Sequence, residues 1–162
     1  IPFAHRGGAK RWPENTLLAF RSASELGYLH IETDLHLTRD GRFVCFHDPT
    51  LERTTNGRGA IAERTLDELR QLDAGYQFVE NGVYSFRGAG LKIPTLEEAL
   101  ELDPARVEVR YFLGKAKLNA GRVEEGFDEL ERYVAEATGI AGEEERVARA
   151  RLLLRRFAGG PR

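Results

Sequence analysis

Two short stretches hold residues able to move protons and grip a cation. Residues 45–48 read CFHD, an apolar run that ends in His47 and Asp48. Residues 30–36 read HIETDLH and carry Glu32 and Asp34. In a strand alternate side chains face one way. His30, Glu32, Asp34 and His36 therefore share one face, and Ile31, Thr33, Leu35 and Leu37 the other. Side chains two positions apart on a strand lie ~6–7 Å apart, so Glu32 and Asp34 can hold one divalent cation through oxygen ligands. A half-buried, salt-bridged strand would show the same alternation. Likewise His47 beside Asp48 could be a turn-capping pair. A tight hairpin at Asp40-Gly41 would set Asp34 opposite His47. A parallel pairing would instead bring both polar ends to one C-terminal rim, where α/β folds build their sites. Carboxylates and a histidine converge in either arrangement.

The elements that must position these residues are legible. Residues 1–5 read as a short strand, and Asn15 or Thr16 can cap a helix to about Glu25, ended by Gly27. Residues 28–37 alternate as a strand, Arg39-Asp40-Gly41 is a turn signal, and RFVCFH is the next strand. FVCF is apolar on both faces, as in a central strand covered on both sides. Thr65-x-x-Glu68 and Thr95-x-x-Glu98 are capping boxes that open short helices. Near Asp103-Pro104 the character changes to charged and aliphatic residues at helical spacing. Helices are expected over about 105–119, 122–137 and 142–157.

Bulk properties narrow the function classes. With 24 basic and 26 acidic residues the net charge is −2, which argues against a nucleic-acid partner recruited by charge. No apolar run approaches the ~18–20 residues of a bilayer span. No signal peptide is visible in IPFAHRGG, which points to a cytoplasmic location. There is no methionine at all, so a processed product, a fragment or a trimmed chain is expected. The single cysteine, Cys45, has no internal disulfide partner and sits in an apolar run, where a buried inert thiol is expected.

Five stretches in order and spacing, AHRGG (4–8), PENT (13–16), IETDLHLTRDG (31–41), FHDPTLERTTNG (46–57) and IPTLEEAL (93–100), resemble the glycerophosphodiester phosphodiesterase family. The resemblance covers about residues 1–100. It implies a TIM-barrel hydrolase that cleaves glycerophosphodiesters to sn-glycerol 3-phosphate and an alcohol, with Ca²⁺ or Mg²⁺, in lipid and glycerol metabolism. By resemblance His5 and His47 take the places of the general acid and general base. Arg6 matches the phosphate-contacting arginine, and Glu14 and Asn15 the signature bordering the substrate. Glu32 and Asp34 match two metal ligands. The family's third ligand comes from a fourth strand, and Glu108 in RVEVRYFLGK (106–115) is the candidate for it.

A competing pattern overlaps Glu108. Asp103-Pro104, Leu113-Gly114, Gly121, Gly126 and Leu130 resemble a tetratricopeptide (TPR) repeat, a helix–turn–helix of about 34 residues. The resemblance implies a hairpin over about 103–137 with a surface for a protein partner. The expected fold is thus α/β: a partial TIM-barrel-like half over 1–102, then a helical hairpin plus one further helix over 103–162. The leading expectation is a hydrolase whose turnover is weak or lost in this chain. The alternative is a non-catalytic binding or scaffold module that uses the TPR-like helices.

Overall fold

The computed structural model describes residues 2–102 and 108–158, apart from the side chains at 108, 109, 157 and 158. The chain forms two compact units, 1–102 and 103–162.

The first unit opens with β1 (Ala4–His5), parallel to β2 (Ile31–Glu32). The register sets Ala4 opposite Ile31 and His5 opposite Glu32. Between them runs α1 (Leu17–Glu25), which buries Ala19, Phe20 and Ala23. Thr16 is its cap and accepts from the Ala19 amide at 3.2 Å. The expected alternative cap, Asn15, instead adopts a left-handed conformation at φ 55°. Gly7 shows why AHRGG needs its first glycine. Its φ is +75°, and a Cβ there would lie 2.8 Å from both Ala19 Cβ and Phe20 Cδ1. α1 can approach the turn after β1 only because that Cβ is missing.

The expected strand over 28–37 is broken. After β2 the chain leaves β1, and β3 (Leu35–Leu37) pairs antiparallel with β4 (Phe43–Cys45). Leu35 faces Cys45, His36 faces Val44 and Leu37 faces Phe43. This register lies one residue from the one a two-residue turn at Asp40-Gly41 would set. The cause is a three-residue connection, in which Thr38 N–H donates to Arg42 O at 2.9 Å and Gly41 takes φ 74°. Thr38 supports it by donating its hydroxyl to Asp40 Oδ1 at 2.6 Å and accepting from the Arg42 amide at 2.8 Å. Asp34 is therefore level with Phe46, whose amide donates to Asp34 O at 3.0 Å, and not with His47.

β4 belongs to a two-stranded sheet with β3, yet it is covered on both faces as its sequence predicts. Phe43, Val44 and Cys45 are buried. Val44 and Phe46 pack with Leu51, Ile61, Leu69 and Ile93 in one apolar cluster. Each such side chain contributes about 1.5–3 kcal/mol when fully buried. Both capping boxes form: Thr65 and Glu68 start α2 (Leu66–Arg70), and Thr95 and Glu98 start α3 (Leu96–Leu100). Burial pushes the Cys45 thiol up to about 12, so it is the inert thiol expected.

The second unit holds α4 (Glu108–Asn119), α5 (Val123–Ala137) and α6 (Glu144–Ala158). Gly121, at φ 77°, makes the turn between α4 and α5. Gly114 and Gly126 let these helices touch. A Cβ on Gly114 would lie 2.7 Å from Leu130 Cγ, and one on Gly126 would lie 2.8 Å from Leu118 Cγ. Tyr111, Leu118, Leu130, Tyr133, Val147 and Ala150 form this unit's buried cluster.

Candidate active site

Backbone geometry after β1 builds the first part of the site. Arg6 follows the strand in a left-handed conformation, φ 51°. Such a conformation costs a non-glycine residue about 1–2 kcal/mol, and here it directs both ends of the arginine. Its amide donates to Glu32 Oε2 at 3.1 Å, and its Nη1 donates to Glu14 Oε1 at 3.1 Å. His5, paired with Glu32 across β1 and β2, has its Nε2 3.7 Å from the same Glu32 oxygen.

Asp34 comes to Arg6 from the other side. Arg6 Nε and Asp34 Oδ2 are 3.4 Å apart. They are within ion-pair reach, yet both atoms are buried and neither has a hydrogen-bond partner. Asn15 lies against the same turn, with its amide donating to Arg6 O at 3.0 Å. Its Oδ1 accepts from the Thr33 hydroxyl at 2.8 Å, while its Nδ2 is buried and unpartnered.

The end of β4 builds the second part. His47 Nδ1 is 2.5 Å from Asp48 Oδ1. Asp48 is ionised and can only accept, so His47 carries a proton on Nδ1. Its carbonyl is held by His36 Nε2 at 2.9 Å. Arg53 then joins the two parts. Its Nε and Nη2 donate to the two Asp48 oxygens at 2.5 and 3.0 Å. Its Nη1 and Nη2 donate to the two Glu14 oxygens at 2.9 and 2.7 Å.

The electrostatics follow from these contacts. The Arg53 hydrogen bond, helped by His47, holds Asp48 down at about 2. Burial pushes Glu14 up, but hydrogen bonds and charge from Arg53 and Arg6 outweigh it and keep Glu14 below the usual carboxylate range. Glu14 and Asp48 together raise Arg53. At neutral pH the chain Arg6–Glu14–Arg53–Asp48 thus alternates in sign.

The sequence-predicted residues His5, Arg6, Glu14, Asn15, Glu32, Asp34 and His47 are all linked to this network by polar contacts. Glu32 and Asp34 both reach Arg6, whereas His36 meets the His47 carbonyl, and the strand between them is broken. Glu108 begins α4, and its side chain lies outside the described residues. Among the described residues no three carboxylate, imidazole or thiol groups gather as a metal cage. Sequence reasoning missed Arg53 and Thr33. A signal existed for Arg53: it is the cation inside FHDPTLERTTNG, five residues after Asp48.

A profile described as the glycerophosphoryl diester phosphodiesterase family matches residues 5–159. The chain belongs to this family. The match extends beyond the five motifs and runs through all three C-terminal helices. A glycerophosphodiester phosphodiesterase from Caldanaerobacter subterraneus subsp. tengcongensis is 49% identical over 102 residues, which is 63% of this chain and 40% of that protein. One from Bacillus subtilis is 42% identical over 105 residues, 62% of this chain and 35% of that protein. The chain therefore spans less than half the length of these relatives.

Solved structures of the family are similar too. The glycerophosphoryl diester phosphodiesterase domain of a Mycobacterium tuberculosis protein gives a TM-score of 0.62 at 27% identity, covering 76% of this chain and 49% of that one. An Oleispira antarctica phosphodiesterase, in complex with the product sn-glycerol-3-phosphate, gives 0.59 at 26% identity, covering 91% of this chain and 70% of that one. These likenesses agree with an α/β chain of the family's TIM-barrel type. No helix among the described residues is long and apolar enough to cross a membrane.

Proposed function

We propose that this chain carries the active-site half of a phosphodiesterase. The enzyme would hydrolyse glycerophosphodiesters to sn-glycerol 3-phosphate and an alcohol. The observation that supports this best is the unbroken run of polar contacts from His5 through Glu32, Arg6, Glu14, Arg53 and Asp48 to His47. It joins two imidazoles, two guanidiniums and three carboxylates, and the imidazoles and Arg6 suit a phosphodiester anion.

The roles follow from the chemistry. Arg6 binds and neutralises the phosphoryl oxygens, with Glu14 holding its guanidinium. Asn15 is the second residue proposed to border the substrate, and its Nδ2 is a buried donor without a partner. One of His5 and His47 takes a proton from the attacking water, and the other gives one to the leaving alkoxide. Imidazole suits both tasks, each contributing about 10²–10⁴-fold. With Nδ1–H bound to Asp48, His47 presents Nε2 to the reaction.

The donor set fits a hard divalent cation. Glu32 and Asp34 both bring carboxylate oxygens to Arg6, and buried Asp34 Oδ2 accepts no hydrogen bond, so the pair offers oxygen ligands. These two residues would hold Ca²⁺ or Mg²⁺, with Glu108 as the proposed third ligand. When bound, the ion supplies charge neutralisation at the phosphoryl group.

In this reading residues 1–102 are a partial barrel, and residues 103–162 are a helical hairpin plus one helix. Turnover by these 162 residues alone is expected to be weak or absent. The alternative, a scaffold module using TPR-like helices, draws its support from the close Gly114–Gly126 crossing. The test is incubation with glycerophosphocholine and Ca²⁺ or Mg²⁺, scored as glycerol 3-phosphate formed. Weak activity that EDTA and His47→Ala abolish supports the hydrolase. Activity indifferent to both, or no binding of glycerol 3-phosphate that depends on Arg6, overturns it.

A further inference from the structure

We propose that Arg53 is a positioning residue that clamps Glu14 and Asp48 together, and so fixes Arg6 and His47 relative to one another. The inference rests on the reading above, in which Arg6 receives phosphate and His47 moves a proton.

The geometry is that of a two-sided fork. One edge of the guanidinium, Nε and Nη2, meets both oxygens of Asp48. The adjoining edge, Nη1 and Nη2, meets both oxygens of Glu14. Four of its five N–H groups are therefore spent on two bidentate pairs. Each carboxylate passes the constraint on. Glu14 Oε1 also accepts from Arg6 Nη1, and Asp48 Oδ1 also accepts from His47 Nδ1.

The clamp joins parts of the fold that no strand pairing ties together. Glu14 sits in the loop before α1, 39 positions from Arg53, and Asp48 follows β4. Arg53 itself is well placed to be held. Its turn is pinned by buried Leu51, and Thr55 N–H and the Thr55 hydroxyl donate to Leu51 O at 3.2 and 2.7 Å. The arginine's own side chain is 45% exposed, so its packing contributes little and its hydrogen bonds define its role.

The consequence for His47 is specific. An anchored Asp48 keeps the imidazole in the Nδ1–H form and leaves Nε2 free. Without Arg53, Asp48 is free to rotate, and the Nδ1–H form loses its fixed acceptor. Lysine cannot replace the arginine, because a single ammonium cannot make two bidentate pairs in one plane.

The test uses the full chain labelled with ¹⁵N-histidine. Long-range ¹H–¹⁵N spectra read the tautomer of each of the four histidines, with His47 assigned by His47→Gln. Wild type is expected to show the Nδ1–H pattern at His47. Arg53→Gln is expected to lose it for a mixture of tautomers, while His30 keeps its wild-type signals. Circular dichroism checks the fold. Should Arg53→Gln unfold, Arg53→Lys is read instead and is also expected to lose the pattern. A His47 pattern unchanged in a folded Arg53 variant overturns the clamp. The readout needs no turnover. Loss of the pattern in a chain that shows no Arg6-dependent binding of glycerol 3-phosphate sinks the hydrolase reading and keeps the clamp; such binding with an indifferent His47 does the reverse.

Discussion

Asp48 shows how a surface carboxylate acquires a fixed charge. It meets a guanidinium edge-on and an imidazole N–H at once, and Arg53 alone supplies two of its hydrogen bonds. Its carboxyl is held at about 2, against an ordinary value of about 3.9. A carboxylate depressed in the folded state contributes stability that is fully present above its unfolded value and is lost as pH falls through its folded one. The window here runs from about pH 4 down to about pH 2. Arg53→Met should therefore have a lower Tm than wild type at pH 6. The gap should narrow as pH falls from 4 and should close only below about pH 2, where Asp48 is protonated in both proteins. Thermal melts across that range check it, and a gap that stays constant to pH 2 counts against the assignment. The motif FHDPTLERTTNG contained all these residues. What it hid was the partner of Arg53, because Glu14 is 39 positions away and no local rule links them.

At the scale of elements, local chemistry predicted better than pairing did. Both capping boxes, the α1 cap region and the buried FVCF strand are properties of a few neighbouring residues, and each forms. The break in the strand after Glu32 is not local. It arises because residues 31–32 pair with β1 while 35–37 pair with β4, and alternation alone reads as one strand. The hairpin register slipped for a similar reason. Asp40-Gly41 suggests a two-residue turn, but the Thr38 and Asp40 side chains support a three-residue one. In the helical unit, two effects compete at Gly114. Helix propensity favours alanine over glycine by about 1 kcal/mol. A Cβ there would lie 2.7 Å from Leu130 Cγ and 3.0 Å from Gly126 O, and overpacking costs about 1–3 kcal/mol. The second contact is backbone, which cannot rotate away, so the steric term wins. Gly114→Ala should lower stability by up to about 2 kcal/mol in urea titration, net of propensity. The same change at exposed, unpacked helical positions should be neutral or stabilising.

For the whole molecule, cation binding is read as added stability of the folded chain. The five motifs carry Glu32 and Asp34, but Glu108, the proposed third ligand, falls where the sequence changes from mixed α/β to helical character. Two carboxylates supply at most four of the six to eight oxygens that Ca²⁺ takes, and weakly provided sites bind at about 10⁻⁴–10⁻³ M. A ligand that binds the folded state stabilises it by RT ln(1 + [L]/Kd). With Kd of ~1 mM, 10 mM Ca²⁺ contributes about 1.4 kcal/mol, or roughly 3–6 °C in Tm for a chain of this size. EDTA should reverse the rise. Asp34→Asn should abolish it, because the substitution removes the buried oxygen that accepts no hydrogen bond. Glu108→Gln decides the third ligand. If Glu108 contributes, that variant loses most of the rise; if Glu32 and Asp34 hold the ion unaided, it keeps the rise in full. A rise that survives Asp34→Asn places the cation elsewhere on the chain and removes the metal from the proposed mechanism.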